Sequence, residues 1–334
     1  MATRGLLYPT LADFAKREDA NGKIDTIVEL LKQSNEILDD MVFQEGNLPT
    51  GHKTTVRTGL PSATWRLLNY GVQPSKSSTA QVVDTCGMLE AYAEVDKALA
   101  DLNGNTAEFR LSEDRAFLEK MNQEMAATLF YGNTAANPEK FLGLAPRFAT
   151  VSTDTTNIGS QIIRGGGASG QTDLTSIWLV AWGPNTVHGI FPKGSKAGFM
   201  HQDLGERTLT DAAGGKYQGY RTHYKWDIGL CVRDWRYVVR IANVDTGDLT
   251  KNAASGADLI DLMTQAVELL HDTGLGRPVF YCNRTIRSFL RRQIVNKVAN
   301  STLSMDQVAG KMVMGFDGIP VRRCDQLLNT ETYI

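Results

Sequence analysis

Hydrophobic positions change period along the chain, and each change marks an element. Ile24, Ile27, Val28, Leu31, Leu38 and Met41 share one face with Lys23, Glu29, Lys32 and Glu36 off it, which predicts an amphipathic helix over residues 23–42. Before it, Thr10 with Asp13 has the form of a capping box for a short first helix, and Gly22 separates the two. Residues 47–83 break the pattern. Pro49, Pro61 and Pro74 exclude a helix, and the short pieces 53–57 and 64–69 read as extended strands around Gly59 and Gly71. The expected result is a long polar hairpin arm whose thin apolar stripe cannot hold its shape by burial within itself. Such an arm is either a mobile loop or a segment ordered against another surface.

Residues 88–95 read as transitional. Residues 112–131 then predict a long helix, with Leu118, Met121, Met125 and Leu129 in a core-facing line and Gly132 as its stop. A Thr-, Gly- and Asn-rich stretch over 133–176 reads mostly as loop. The period turns to strand at 177–182, 220–233 and 237–243, punctuated by Gly194, Gly198 and Gly214-Gly215. Ser255 with Asp258 begins another capped helix, whose Leu259, Leu262, Met263, Ala266, Leu269 and Leu270 face inward. The closing block is a strand over 279–283, a helix over 284–299 capped by Asn283, and an apolar strand introduced by the Asp317-Gly318 turn. Phe289, Leu290, Ile294 and Val298 give that helix its apolar repeat. The fold class is α+β, without internal repeats.

Composition narrows the function classes. The 334 residues bury a substantial core in two or more lobes, and 42% hydrophobic with 22% charged content is ordinary for a folded soluble protein. With 35 Lys+Arg against 37 Asp+Glu, the formal charge of −2 argues against a dedicated nucleic-acid binder. The longest apolar run, 177–182, is far short of the ~20 residues that cross a bilayer, and no signal-peptide core opens the chain. Neither membrane contact nor export from the compartment of synthesis is expected. Cys86, Cys231, Cys282 and Cys324 lie far apart with no zinc-ligand spacing, so they read as buried, reduced thiols.

Catalytic patterns fail one by one. Residues 165–170 satisfy G-x-G-x-x-G, but a polar loop leads from them into a strand, not into the helix a dinucleotide site needs. No P-loop occurs, and Gln171 spoils the one approach to a G-x-S-x-G elbow. His52, His188, His201, His223 and His271 are scattered, and acid pairs such as Asp39-Asp40 and Glu113-Asp114 read as solvated helix faces. No catalytic, cofactor or metal residues are assigned.

The basic residues are more informative. Lys53, Arg57, Arg66 and Lys76 lie on the arm, and no acidic residue occurs between Gly46 and Val83. This cationic strip reads either as a solvated loop that happens to lack acids or as a match to an acidic surface on a neighbour, for which Glu108, Glu113, Asp114 and Glu119 on the long helix are candidates and Trp65 an added aromatic anchor.

The order of elements resembles the major capsid protein of tailed bacteriophages. The resemblance rests on the arm segment 60–72, the helix 112–131, the strand pair 226–232 and 237–243, and the run Phe316-Asp317-Gly318-Ile319-Pro320-Val321. It implies a Hong Kong 97 type fold with an N-arm at 1–47, an extended E-loop at 48–88, a peripheral domain with the spine helix at 89–250 and an axial domain at 251–334. Because the β-rich 177–244 precedes 255–325, it implies the rearranged connectivity of some short-tailed phages. The implied function is self-assembly through hexamers and pentamers into an icosahedral shell around double-stranded DNA, in a virion assembled in the host cytoplasm. Implied partners are copies of the chain itself, DNA contacted non-specifically, a scaffolding protein, a portal and a cement or decoration protein. No cofactor is implied. Expected inter-subunit residues are Lys53, Arg57, Trp65, Arg66 and Lys76 on the arm, with Ile27, Leu31 and Leu38 on the N-terminal helix. Two other classes stay open on the sequence: an enzyme whose site is assembled from distant segments, and another phage structural protein.

Overall fold

The computed structural model describes residues 8–17, 23, 32–211, 213–249, 256–296, 303–308 and 311–334. The chain forms two compact units, one from Met1–Ser34, Met88–Ala126 and Gly198–Asp227, the other from Asn35–Gly87, Ala127–Ala197 and Ile228–Ile334.

The second unit is organised by the strand Leu174–Trp182, in which every residue is buried. It pairs antiparallel with Val238–Asp245 and, on its other edge, with Arg277–Cys282. Arg277–Cys282 runs parallel to Ile319–Arg323, which follows Lys311–Phe316 through the predicted turn. Asp317 and Gly318 take φ of 50° and 75° there, values that glycine adopts freely and Asp tolerates. Strand period sorts the side chains of the central strand. Ile177, Leu179 and Ala181 join the core formed with Leu259–Leu269 and Arg284–Asn296, among Leu262, Met263, Phe280, Ile286 and Leu290. Trp178 packs instead against Phe130 and Phe148, and Trp182 donates Nε1–H to the Tyr281 hydroxyl at 2.7 Å.

Both helices start on side-chain caps. Asp258 accepts from the Ile260 and Asp261 amides, and Asn283 accepts from the Ile286 amide at 2.9 Å. Asp258 thus caps the helix itself; Ser255 and Val298 lie outside the described residues. Charges inside this unit are closed by partners. Arg240 meets Glu331 at 2.8 Å and donates to the Phe148 carbonyl, while Tyr131 and Ser176 donate to the same Glu331 carboxylate. Asp40, expected on a solvated face, is buried: Tyr281 donates to it at 3.1 Å and Arg322 lies at 3.3 Å. Burial raises its pKa against the opposing pull of Arg322.

The first unit combines helix and ribbon. Its capping box forms as expected, with the Asp13 amide donating to Thr10 and the Asp13 carboxylate accepting from the Thr10 amide. The helix it opens buries Phe14 at 5.1 Å from the Phe109 ring, and Arg17 pairs with Glu113 at 2.5 Å. Met200–Thr210 and Lys216–Val232 form an antiparallel ribbon whose register shifts between Asp203 and Glu206. Cross-element ion pairs brace it: Arg110 to Asp203 at 2.6 Å, Lys97 to Glu206 at 2.7 Å and Arg221 to Glu94 at 2.5 Å.

Several sequence expectations need correction. The long helix is Thr106–Tyr131, and Leu118 is 41% exposed while Phe117, about 100° round the helix, packs with Met121 and Tyr224. Residues 88–95 belong to the 19-residue strand Ser78–Asp96, and residues 64–69 form no strand. Within 23–42, residues 24–31 lie outside the described residues and only Ile37–Asp40 is helical. Asn35 bridges Cys324, and the Glu36 amide donates to the Arg323 carbonyl at 3.2 Å, so tertiary pairing overrides the helical period.

Candidate assembly surface

The arm is an antiparallel hairpin. Gly51–Gly59 pairs with the first part of Ser78–Asp96, with Gly51 opposite Thr85 and Arg57 opposite Thr79, before a register shift at Gly59. Its root is tied down and its tip is not. At the root, Asp84 is buried against Arg147 at 2.7 Å, and the Asn47 side chain exchanges two 2.7 Å bonds with the Lys53 backbone. Beyond Gly59, every residue from 60 to 76 is exposed, held by little more than the Ser75 hydroxyl on the Ser62 carbonyl and a turn at Asn69. Proline and the absence of an alternating stripe remove both the donors and the burial that a longer hairpin would need.

The tip is nonetheless apolar in content. Leu60, Trp65, Leu67, Leu68, Tyr70 and Val72 are each more than half exposed, and Trp65 is fully so. A concentration of large exposed side chains on one short segment marks a surface made to be covered. Lys53, Arg57, Arg66 and Lys76 are all exposed around it, and among the described residues none has an ion-pair partner. Ile27 and Leu31 lie outside the described residues, and Leu38 is half-buried on Ile37–Asp40.

The acids considered as docking partners are mostly engaged within their own unit. Glu113 meets Arg17, Glu119 accepts from the Gln33 amide at 2.9 Å and from Gln123, and the Tyr224 hydroxyl bonds Asp114. Glu108 stays exposed.

The model of the major capsid protein GP7 family matches residues 19–334 of this chain. The chain belongs to the major capsid protein GP7 family. Among solved structures, a chain of the bacteriophage Epsilon15 structure is 39% identical over 99% of both chains, with a TM-score of 0.79. A chain of the bacteriophage JBD30 capsid, 10% identical, shares the fold over 89% of this capsid protein and 92% of its own length at a TM-score of 0.50. No curated protein matches it. This capsid protein has the Hong Kong 97 type fold of tailed-phage shells; it forms shells with copies of itself, resides in the virion capsid and is not an enzyme.

The capsid protein carries a second charged surface that motif reasoning missed. Arg284, Arg287, Ser288, Arg291, Arg292 and Arg323 line a cleft of about 450 Å³. Asp325 answers Arg284 and Arg323, and Glu36 answers Arg287. Arg291 and Arg292 have no acidic partner among the described residues, and Arg292 lies over the Phe289 ring. The signal is present in the sequence as arginines at i, i+3, i+7 and i+8 on one helix.

Proposed function

We propose that the capsid protein closes an icosahedral shell of hexamers and pentamers around double-stranded DNA, with the arm as its principal inter-subunit clasp. The observation that carries this reading is the arm itself: a hairpin rooted by a buried ion pair and ending in six exposed large apolar side chains. Covering each of those is worth about 1.5–3 kcal/mol, enough to order the tip on a neighbour but not on its own hairpin. Lys53, Arg57, Arg66 and Lys76 steer the approach, and Trp65 anchors it. Ile27, Leu31 and Leu38 provide a second contact from the N-terminal segment.

In this reading residues 1–47 are the N-arm, 48–88 the E-loop, 89–250 the peripheral domain and 251–334 the axial domain. The arginine cleft supports non-specific contact with packaged DNA, because guanidinium groups hold phosphates without reading sequence. Scaffolding, portal and cement proteins act during and after assembly in the host cytoplasm. Among the described residues no helix is long and apolar enough to cross a membrane.

Electron microscopy of the expressed protein, intact and with residues 60–77 replaced by a short Gly-Ser turn, tests the reading. Closed shells or capsomer rings from the intact chain and dispersed, folded subunits from the replacement are expected. Normal shells without the tip would remove the arm from this role.

A further inference from the structure

At the arm root, strand pairing brings together residues that sequence spacing keeps apart. His52 faces Asp84 across the arm hairpin, and His188 faces Cys231 across Val187–Phe191 and the far end of Lys216–Val232. The hairpin root packs flush on that second pair of strands: a Cβ at Gly229 would lie 2.6 Å from the Thr85 carbonyl oxygen. One donor atom each from His52, His188 and Cys231 falls within 4.8 Å of the others, and the two imidazole rings meet edge to face at 5.8 Å.

His188 is the unusual member. It is completely buried, yet neither ring nitrogen makes a hydrogen bond of good geometry; the Gly183 backbone approaches the ring without completing one. A buried polar atom without a partner costs about 1–3 kcal/mol, so a ring with one nitrogen unanswered and the other met only by the Gly183 backbone is a poor choice for mere packing. The buried Asp84 carboxylate, one oxygen of which meets Arg147, also lies within hydrogen-bonding reach of the Cys231 thiol.

We propose that His52, His188 and Cys231 bind a divalent transition-metal ion of the zinc class at the root of the arm. Two imidazoles and a thiolate are a borderline-soft donor set that suits Zn²⁺. Tetrahedral bonds of about 2.0–2.3 Å bring such donors to roughly 3.3–3.7 Å from one another, a contraction of about an ångström that side-chain rotation supplies. Cys231 releases its thiol proton to solvent on binding, and water or Asp84 completes the coordination. One His188 nitrogen ligates while the other donates its N–H to the Gly183 carbonyl, the outer-shell bond typical of metal-bound histidine. His52 gives up only a long 3.3 Å contact with the Asn47 amide, and Asn47 keeps its side-chain bonds to Lys53. The ion joins the arm, through His52, to the body strands, through His188 and Cys231, and so fixes the direction in which the arm leaves the subunit.

Titration of the full-length subunit with Co²⁺ tests the site without requiring assembly. One equivalent giving tetrahedral d–d bands and a thiolate-to-cobalt charge-transfer band, both displaced by Zn²⁺, is expected. Cys231→Ser removes the charge-transfer band, and His52→Gln, at a half-exposed position that leaves folding intact, weakens binding by at least about tenfold. Absence of the bands in the natural sequence, or bands and affinity unchanged in His52→Gln, overturns the proposal.

Discussion

Arg147 reaches Asp84 at 2.7 Å and, through the same terminal nitrogen, the carbonyls of Leu142 and Leu230, each at 3.2 Å. The arm hairpin therefore enters the body through one guanidinium that gathers a strand of the arm, a loop and a body strand. Asp84 is 3% exposed, so its charge depends on that partner. Arg147→Ala is expected to destabilise the subunit by about 3–5 kcal/mol, because a buried carboxylate is left unanswered. Replacing both residues, as Asp84→Leu with Arg147→Met, should recover most of the loss. Urea unfolding of the subunit measures both, and an effect below about 1 kcal/mol for Arg147→Ala would show that the root is held elsewhere.

The tip makes the opposite prediction. Trp65 and Leu68 are exposed in the subunit, so Trp65→Ala with Leu68→Ala should change its unfolding free energy by no more than about 0.5 kcal/mol, the range of a surface substitution. Shell yield should fall at least tenfold, as expected when an aromatic anchor worth about 2 kcal/mol is lost at each contact. Sedimentation of assembly reactions separates the two readouts, and equal shell yield would exclude the tip as an anchor.

Reversing charge tests steering apart from anchoring. Arg57→Glu with Arg66→Glu should slow assembly most at low salt, because exposed pairs are each worth about 0–1 kcal/mol and screening removes them. Light-scattering traces across ionic strength report this. A rate that does not change with salt in either protein returns these residues to simple solvation.

Acid should loosen the ribbon of the first unit at Asp203. The hydrogen bond from Arg110 holds its carboxyl below the usual value of 3.8, opposed by partial burial and helped by the Gly205 amide. A depressed folded-state pKa contributes stability that is complete above about pH 4 and is lost as pH falls through the folded value. Because Asp203 is half exposed, the amount is about 0–1 kcal/mol. Asp203→Asn should be slightly less stable at neutral pH and should match the natural sequence near pH 2. Thermal melts at both pH values would expose the idea as wrong if the difference persisted in acid.

Local signals were legible where one element decides its own geometry. The Thr10–Asp13 capping box, the Asn283 cap, the Asp317-Gly318 turn and the buried strand around 177–182 each follow from residues adjacent in the chain. The arm was legible by what it lacks, namely acids and an apolar stripe. Expectations failed where a distant partner decides. Asn35 and Glu36 pair with Cys324 and Arg323 in place of continuing a helix, and Asp40 is drawn inside by Tyr281 and Arg322. The His52, His188 and Cys231 cluster is the extreme case. Its members come from three strands, so neither ligand spacing nor composition points to it.

Among the described residues the arm strand Gly51–Gly59 ends its sheet with its outer edge unpaired, and every copy of the chain carries the same one. Crowded identical hairpins with apolar tips are the conditions under which strands zip to each other in place of their proper targets. From residue 47 to 82 the arm bears cations and no anion, so two arms meeting edge to edge present like charge to like. That uniform sign sets arm against arm while favouring an acidic surface. In the proposed docking role, the same four side chains that draw an arm to its seat would also keep unassembled subunits from tangling before they find one.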